Sequence, residues 1–121
     1  MAQNQIGAKR HVVGAHYGLR DWLGQRITAV IMAVYTVIAL FCYLTADELG
    51  FDGWRSFFQN DFFAVMTLLA FLAVFYHAWI GIRDIWMDYV KPVGVRLALQ
   101  ALTTVWLLGC AIYAAKILWG V

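Results

Sequence analysis

Three runs of the chain carry no formal charge and are long enough to cross a lipid bilayer: Ile27 to Ala46, Phe62 to Ile82 and Leu97 to Ala115. A hydrocarbon core of about 30 Å is spanned by about 20 predominantly apolar residues at a helical rise of about 1.5 Å each. Nothing else in the 121 residues restricts the fold as tightly. Within lipid every backbone N–H and C=O must be paired inside the protein, which leaves helices and closed barrels. The runs lack the period-2 alternation of barrel strands, and three strands cannot close a barrel. The sequence therefore predicts an all-α membrane protein with three transmembrane helices, over residues 26–46, 62–83 and 97–116. Composition agrees, since 64% of the residues are hydrophobic and 13% charged, too few to give a soluble globular domain its aqueous surface. Nine basic and seven acidic residues leave a dispersed net charge of +2, which excludes a nucleic-acid footprint. Internal repeats are absent from the sequence, so it does not read as a duplicated transporter half.

Residues 1–25 read as a cytoplasmic or interfacial N-terminal segment of a single membrane domain. Gly14 to Gln25 sets Tyr17, Leu19, Trp22 and Leu23 among polar residues, a pattern that suits a short interfacial segment ahead of the first span; a mobile tail is the alternative. A signal peptide does not fit, because Arg20, Asp21 and Arg26 interrupt the approach to a run of full spanning length with no small-residue cleavage site after it. Orientation follows from Lys and Arg. The N-terminal segment holds Lys9, Arg10, Arg20 and Arg26, and the second loop holds Arg83, Lys91 and Arg96, whereas the first loop has only Arg55 and the C-terminal end only Lys116. The positive-inside rule then puts the N-terminus and second loop in the cytoplasm and the C-terminus in the periplasm. Trp22, Trp54, Trp86 and Trp119 fall near span ends, where indoles favour the headgroup region.

Few residues can carry chemistry. Cys42 and Cys110 lie inside predicted spans, unclustered, and read as small apolar side chains. The sequence has no CxxC, GxGxxG or GxxxxGK[ST] pattern, so redox chemistry here requires a cofactor held in another way. His77 is the one histidine inside a span, and an ionisable group at that depth marks a functional site by default. Ala70, Ala73 and Gly81 share its helical face, which leaves space for a flat macrocycle beside the imidazole; equally, they make a close helix–helix contact while His77 hydrogen-bonds a neighbouring helix. Zinc is disfavoured, because no second ligand lies within a turn of His77. Asp84 and Asp88 continue along that face toward the cytoplasmic headgroups, Tyr89 adjoins them, and Val90-Lys91-Pro92 ends the helix. A tyrosine hydroxyl at this boundary can hydrogen-bond the carbonyl of a lipid-soluble ligand, and is otherwise a belt tyrosine beside solvated charges. Arg26 can pair with cofactor carboxylates or simply snorkel. Gln100 can hydrogen-bond a partner helix.

The runs His77-Ala78-Trp79-Ile80-Gly81, Asp88-Tyr89-Val90-Lys91-Pro92 and Arg96-Leu97, with Arg26-Ile27-Thr28-Ala29 opening the first span and Trp119-Gly120-Val121 at the end, resemble the small hydrophobic membrane-anchor subunit of bacterial succinate dehydrogenase, respiratory complex II. The resemblance covers nearly the whole chain beyond about Leu23, so His11 and His16 inherit no role from it. It implies packing against a second three-helix anchor subunit, the larger of the pair, with a flavoprotein and an iron–sulfur subunit held on the cytoplasmic face of the bacterial inner membrane. It further implies that His77 is one of two axial ligands to a haem b shared with the partner anchor, that Tyr89 hydrogen-bonds a ubiquinone carbonyl with Asp88 shaping or protonating the site, and that Arg26 lies near the haem propionates. FAD and iron–sulfur clusters belong to the partner subunits, so this subunit alone is not catalytic within a succinate:ubiquinone oxidoreductase. The alternatives are the larger anchor or a fumarate reductase anchor, against which the Asp88-Tyr89 pair and the short N-terminus weigh, and a structural three-helix scaffold without a cofactor.

Overall fold

A computed structural model describes residues 13–120, with side-chain surroundings from residue 18 onward. Lys9, Arg10, His11 and the His16 side chain lie outside the described residues. The described chain is helical, in the order α1 Val13–Thr45, α2 Phe51–Gln59, α3 Asp61–Tyr89 and α4 Val93–Trp119, with no strand among the described residues. Three helices are long and apolar enough to cross a membrane: α1 from Gly18 onward, α3 and α4. The chain is a multi-pass membrane protein.

The first helix differs from the expectation. No break separates residues 18–25 from the span; α1 is one helix of 33 residues, about 50 Å long and so about 20 Å longer than the hydrocarbon core. Leu19, Arg20, Gln25 and Arg26 are all good helix formers, and Asp21 is tied by an ion pair to Arg83 on α3, so the N-terminal turns continue the span instead of turning into the interface.

The helix ends follow local chemistry. Asn60 caps α3, its Oδ1 accepting from the N–H groups of Phe62 at 3.0 Å and Phe63 at 3.2 Å. Val90 takes an extended conformation with φ −100° and ψ 108° and closes α3 one residue ahead of Lys91, which Pro92 disfavours from helical geometry, and Pro92 is the N-cap of α4. The loop between the first two spans contains α2, which the apolar runs did not reveal. It is closed by an aromatic cluster in which Trp54 stacks on Tyr43 at 5.6 Å and Phe58 meets Phe63 at 5.4 Å between centroids. Gly53 is obligatory in this turn, because a Cβ there would overlap the Glu48 carbonyl.

The centre of the fold is α3, which packs on both α1 and α4. Its buried residues are Ala64, Thr67, Ala70, Ala73 and Ile80, four of them small, which lets helix backbones approach closely in the absence of a hydrophobic drive between helices. Hydrogen bonds between helices add to that packing. Tyr35 on α1 and Thr67 bond through their hydroxyls at 2.7 Å, while the indole N–H groups of Trp79 and Trp86 donate to Thr104 and Thr103 on α4, each at 3.0 Å. Trp86 is thus half-buried and tied to a helix, whereas Trp22, Trp54 and Trp119 are exposed as belt residues are. The outer side of α1 exposes Val30, Val34, Val37, Phe41 and Leu44, an apolar stripe suited to lipid or to another membrane helix.

Candidate functional site

His77 sits on α3 sixteen residues after Asp61 and twelve before Tyr89, about 24 Å and 18 Å along the axis, which places the imidazole within the hydrocarbon depth and toward the Tyr89 end. The ring is half-buried. Its Nδ1 lies 3.0 Å from Oγ1 of Thr28 on α1, a residue only 8% exposed. Nε2 forms no hydrogen bond to a described side chain. Close approach of α1 makes the contact possible: a Cβ at Gly24, one turn before Thr28, would stand 3.0 Å from Tyr76 and 3.6 Å from Ile80, the residues that flank His77 on α3.

This arrangement corrects the expectation of open space beside the imidazole. Ala70 and Ala73 are 4% and 5% exposed, so the face they share with His77 is filled by protein, and their small side chains serve helix packing. Gly81 faces the Gln25 side chain, 4.0 Å from where its Cβ would be. The alternative in which His77 hydrogen-bonds a neighbouring helix is the arrangement observed. It leaves one ring nitrogen uncommitted, so a planar group would meet the imidazole from its exposed side.

The polar line below His77 draws in more groups than its spacing indicates. Arg83 pairs with Asp21 across α1 and α3, approaches Asp84 at 3.7 Å, and lays its guanidinium 5.1 Å from the Trp79 ring centroid. A cleft of about 640 Å³ opens beside this pair, with Arg20, Arg83 and Arg96 set among the side chains of Trp79, Met87 and Leu97. Asp88 lies eleven residues beyond His77, about 20° round the helix, and is exposed. Tyr89, the last residue of α3, lies about 120° round from His77 and is 79% exposed. Arg26 is not brought to this group: two residues before Thr28, it is turned about 200° away on α1, exposed, with its guanidinium 5.3 Å over the Trp22 ring.

Thr28 and Asp21 are the residues that sequence reasoning missed. A lone threonine in an apolar span has no periodicity to mark it, and the Asp21–Arg83 pairing crosses 62 positions of sequence. No group of three or more His, Cys, Asp or Glu able to hold a metal ion occurs among the described residues. The donor set fits a metal whose equatorial positions are already filled by a macrocycle and which asks one imidazole of this chain, as a haem iron does.

Fold and site together define a class: a small three-span membrane subunit with an imidazole at membrane depth and an exposed tyrosine at a helix end. Residues 2–114 match the family described as succinate dehydrogenase/fumarate reductase transmembrane subunit. The chain is also 35% identical over 102 residues to the succinate dehydrogenase hydrophobic membrane anchor subunit of Coxiella burnetii, an alignment that covers 84% of this chain and 89% of that protein. The chain belongs to the family of succinate dehydrogenase/fumarate reductase transmembrane subunits.

Proposed function

We propose that this chain is the small hydrophobic anchor of a bacterial succinate dehydrogenase, that it supplies one axial ligand to a haem b through His77, and that Tyr89 and Asp88 form its share of a ubiquinone site. The observation that carries the reading is the His77 ring itself: half-buried at membrane depth, with Nδ1 held by Thr28 and Nε2 uncommitted. A haem iron with two histidine ligands would take its second from a partner chain, and the apolar outer surface of the bundle suits packing against a second three-helix anchor. The flavoprotein and iron–sulfur subunits dock on the cytoplasmic face, which the charge distribution assigns to the N-terminus and the α3–α4 loop. The complex resides in the bacterial inner membrane.

When bound, the haem supplies a one-electron redox centre. This chain's residues hold and orient. His77 presents Nε2, and α1 keeps the ring from turning. Arg26 serves a propionate carboxylate only by leaving the Trp22 ring, so its part is the outlying one. At the end of α3 the Tyr89 hydroxyl would donate to a quinone carbonyl oxygen, favouring the build-up of negative charge there, and Asp88, one residue earlier and exposed, would shape the site or pass it a proton from the aqueous side. His77 and Tyr89 stand about 18 Å apart along the axis of α3, so one helix would serve both the haem and the quinone from different depths. Succinate oxidation itself takes place in the flavoprotein, so this chain bears only on the terminal acceptor.

The test separates the two half-reactions in the purified complex. Tyr89→Phe is expected to slow succinate-driven ubiquinone reduction at least tenfold while reduction of a soluble artificial acceptor is unchanged. Loss of both activities together would mean failed assembly, and retention of both would remove Tyr89 from the site.

A further inference from the structure

His77 Nδ1 and Thr28 Oγ1 are 3.0 Å apart, and either atom can in principle supply the proton between them. The surroundings of Thr28 decide which does. Its hydroxyl has a single proton, and the Gly24 carbonyl oxygen lies 2.8 Å from Oγ1, with the Gln25 carbonyl at 3.1 Å. A carbonyl only accepts, so that proton is directed down α1, and what Oγ1 turns toward α3 is a lone pair. Nδ1 therefore carries the imidazole proton and donates it to Thr28, and the free lone pair of the neutral ring is on Nε2.

We propose that Thr28 is a positioning residue for the haem ligand, fixing the tautomer and the plane of the His77 ring through the relay His77 Nδ1–H to Thr28 Oγ1–H to the Gly24 carbonyl. The proposal rests on the reading of His77 as an axial ligand. Three features of the structure make the relay rigid. Thr28 is buried, so water does not compete for the Nδ1 proton. Threonine is stiff at χ1, and its rotamer is locked by the carbonyl bond. Gly24 both supplies the terminal acceptor and, by lacking a Cβ, brings α1 close enough for so short a side chain to reach the ring. An acceptor on the distal nitrogen makes the ligating nitrogen a stronger donor, which favours ferric over ferrous iron and lowers the reduction potential.

The experiment uses the purified complex carrying Thr28→Val, Thr28→Ser or His77→Ala. Valine keeps the shape of threonine and removes the acceptor; serine restores it. Thr28→Val is expected to shift the haem midpoint potential to a more positive value and to move the low-spin ferric EPR signal as the ring plane is released, with Thr28→Ser matching the unsubstituted complex in both. Unchanged potential and EPR signal in a fully haem-loaded Thr28→Val complex would overturn the proposal. Should Thr28→Val not assemble, hyperfine spectroscopy of the unsubstituted complex labelled with ¹⁵N-histidine decides instead. A hydrogen-bonded N–H at the remote nitrogen of His77 is expected, and an unbonded one would overturn the relay. A His77→Ala complex with haem and EPR signal intact would instead overturn the ligand assignment itself, so the two failures are distinguishable.

Discussion

The ion pair between Asp21 and Arg83 explains why α1 runs straight past the bilayer core, and its strength can be worked out. Two unit charges about 4 Å apart attract by about 4 kcal/mol at an effective dielectric constant of about 20. Desolvation and lost rotamers offset part of this: exposed pairs measure about 0–1 kcal/mol, whereas truncating one partner of a buried pair costs about 3–5 kcal/mol. The side chains here are 24% and 30% exposed, which places the pair between those limits, at about 2 kcal/mol. Asp84, whose Oδ1 is 3.7 Å from Arg83 and whose side chain is 58% exposed, is free to swing in when Asp21 is removed. Asp21→Asn should therefore destabilise by about 1 kcal/mol and Arg83→Gln by about 2–3 kcal/mol, the latter also losing the Trp79 stack. In a double-mutant cycle followed by detergent-titrated unfolding in mixed micelles, the coupling energy should be about 1–2 kcal/mol and survive about 0.5 M salt, because the pair is largely shielded from solvent. Additive single effects, or a coupling abolished by salt, would rule this out and reduce the contact to a surface pair.

Other parts of the fold yield sharper local outcomes. Tyr35→Phe and Thr67→Val should each cost about 1 kcal/mol in the same unfolding assay and be strongly non-additive, since they break one bond of 2.7 Å at a residue 1% exposed. Gly53→Ala should loosen the α1–α3 loop, read as faster proteolysis after Arg55 in membranes, because the added methyl would collide with backbone at Glu48 rather than with a movable side chain. A periplasm-active reporter fused to the C-terminus should be active and one fused in the α3–α4 loop near Lys91 inactive; the reverse pattern would invert the orientation.

The spans were legible in the sequence because lipid leaves helices little choice: uncharged runs of sufficient length map directly onto α1, α3 and α4. The stop at Val90 was legible for an equally local reason, the proline two residues on. The apolar runs could not show α2, whose short sequence from Phe51 to Gln59 mixes Asp52, Arg55 and Gln59 with aromatics and depends on packing against Tyr43 and Phe63. Nor could they show that Gly14 to Gln25 continues the first span, which depends on a partner 62 positions away. For the site, intramembrane rarity singled out His77, but periodicity could not say whether Ala70 and Ala73 make room for a ligand or for a helix. The packing of α1 decides for the helix, and with it comes Thr28, which only three-dimensional proximity identifies.

Whether His77 Nε2 holds the iron of a haem is decided by ligand replacement. In the purified complex carrying His77→Gly, the dithionite-reduced minus oxidised absorbance spectrum should lose or distort the b-type α-band, and exogenous imidazole should restore it by occupying the vacated space beside Thr28. A normal b-type spectrum in that variant, with no imidazole added and no response to imidazole, would contradict ligation and leave His77 as a histidine that only joins α3 to α1.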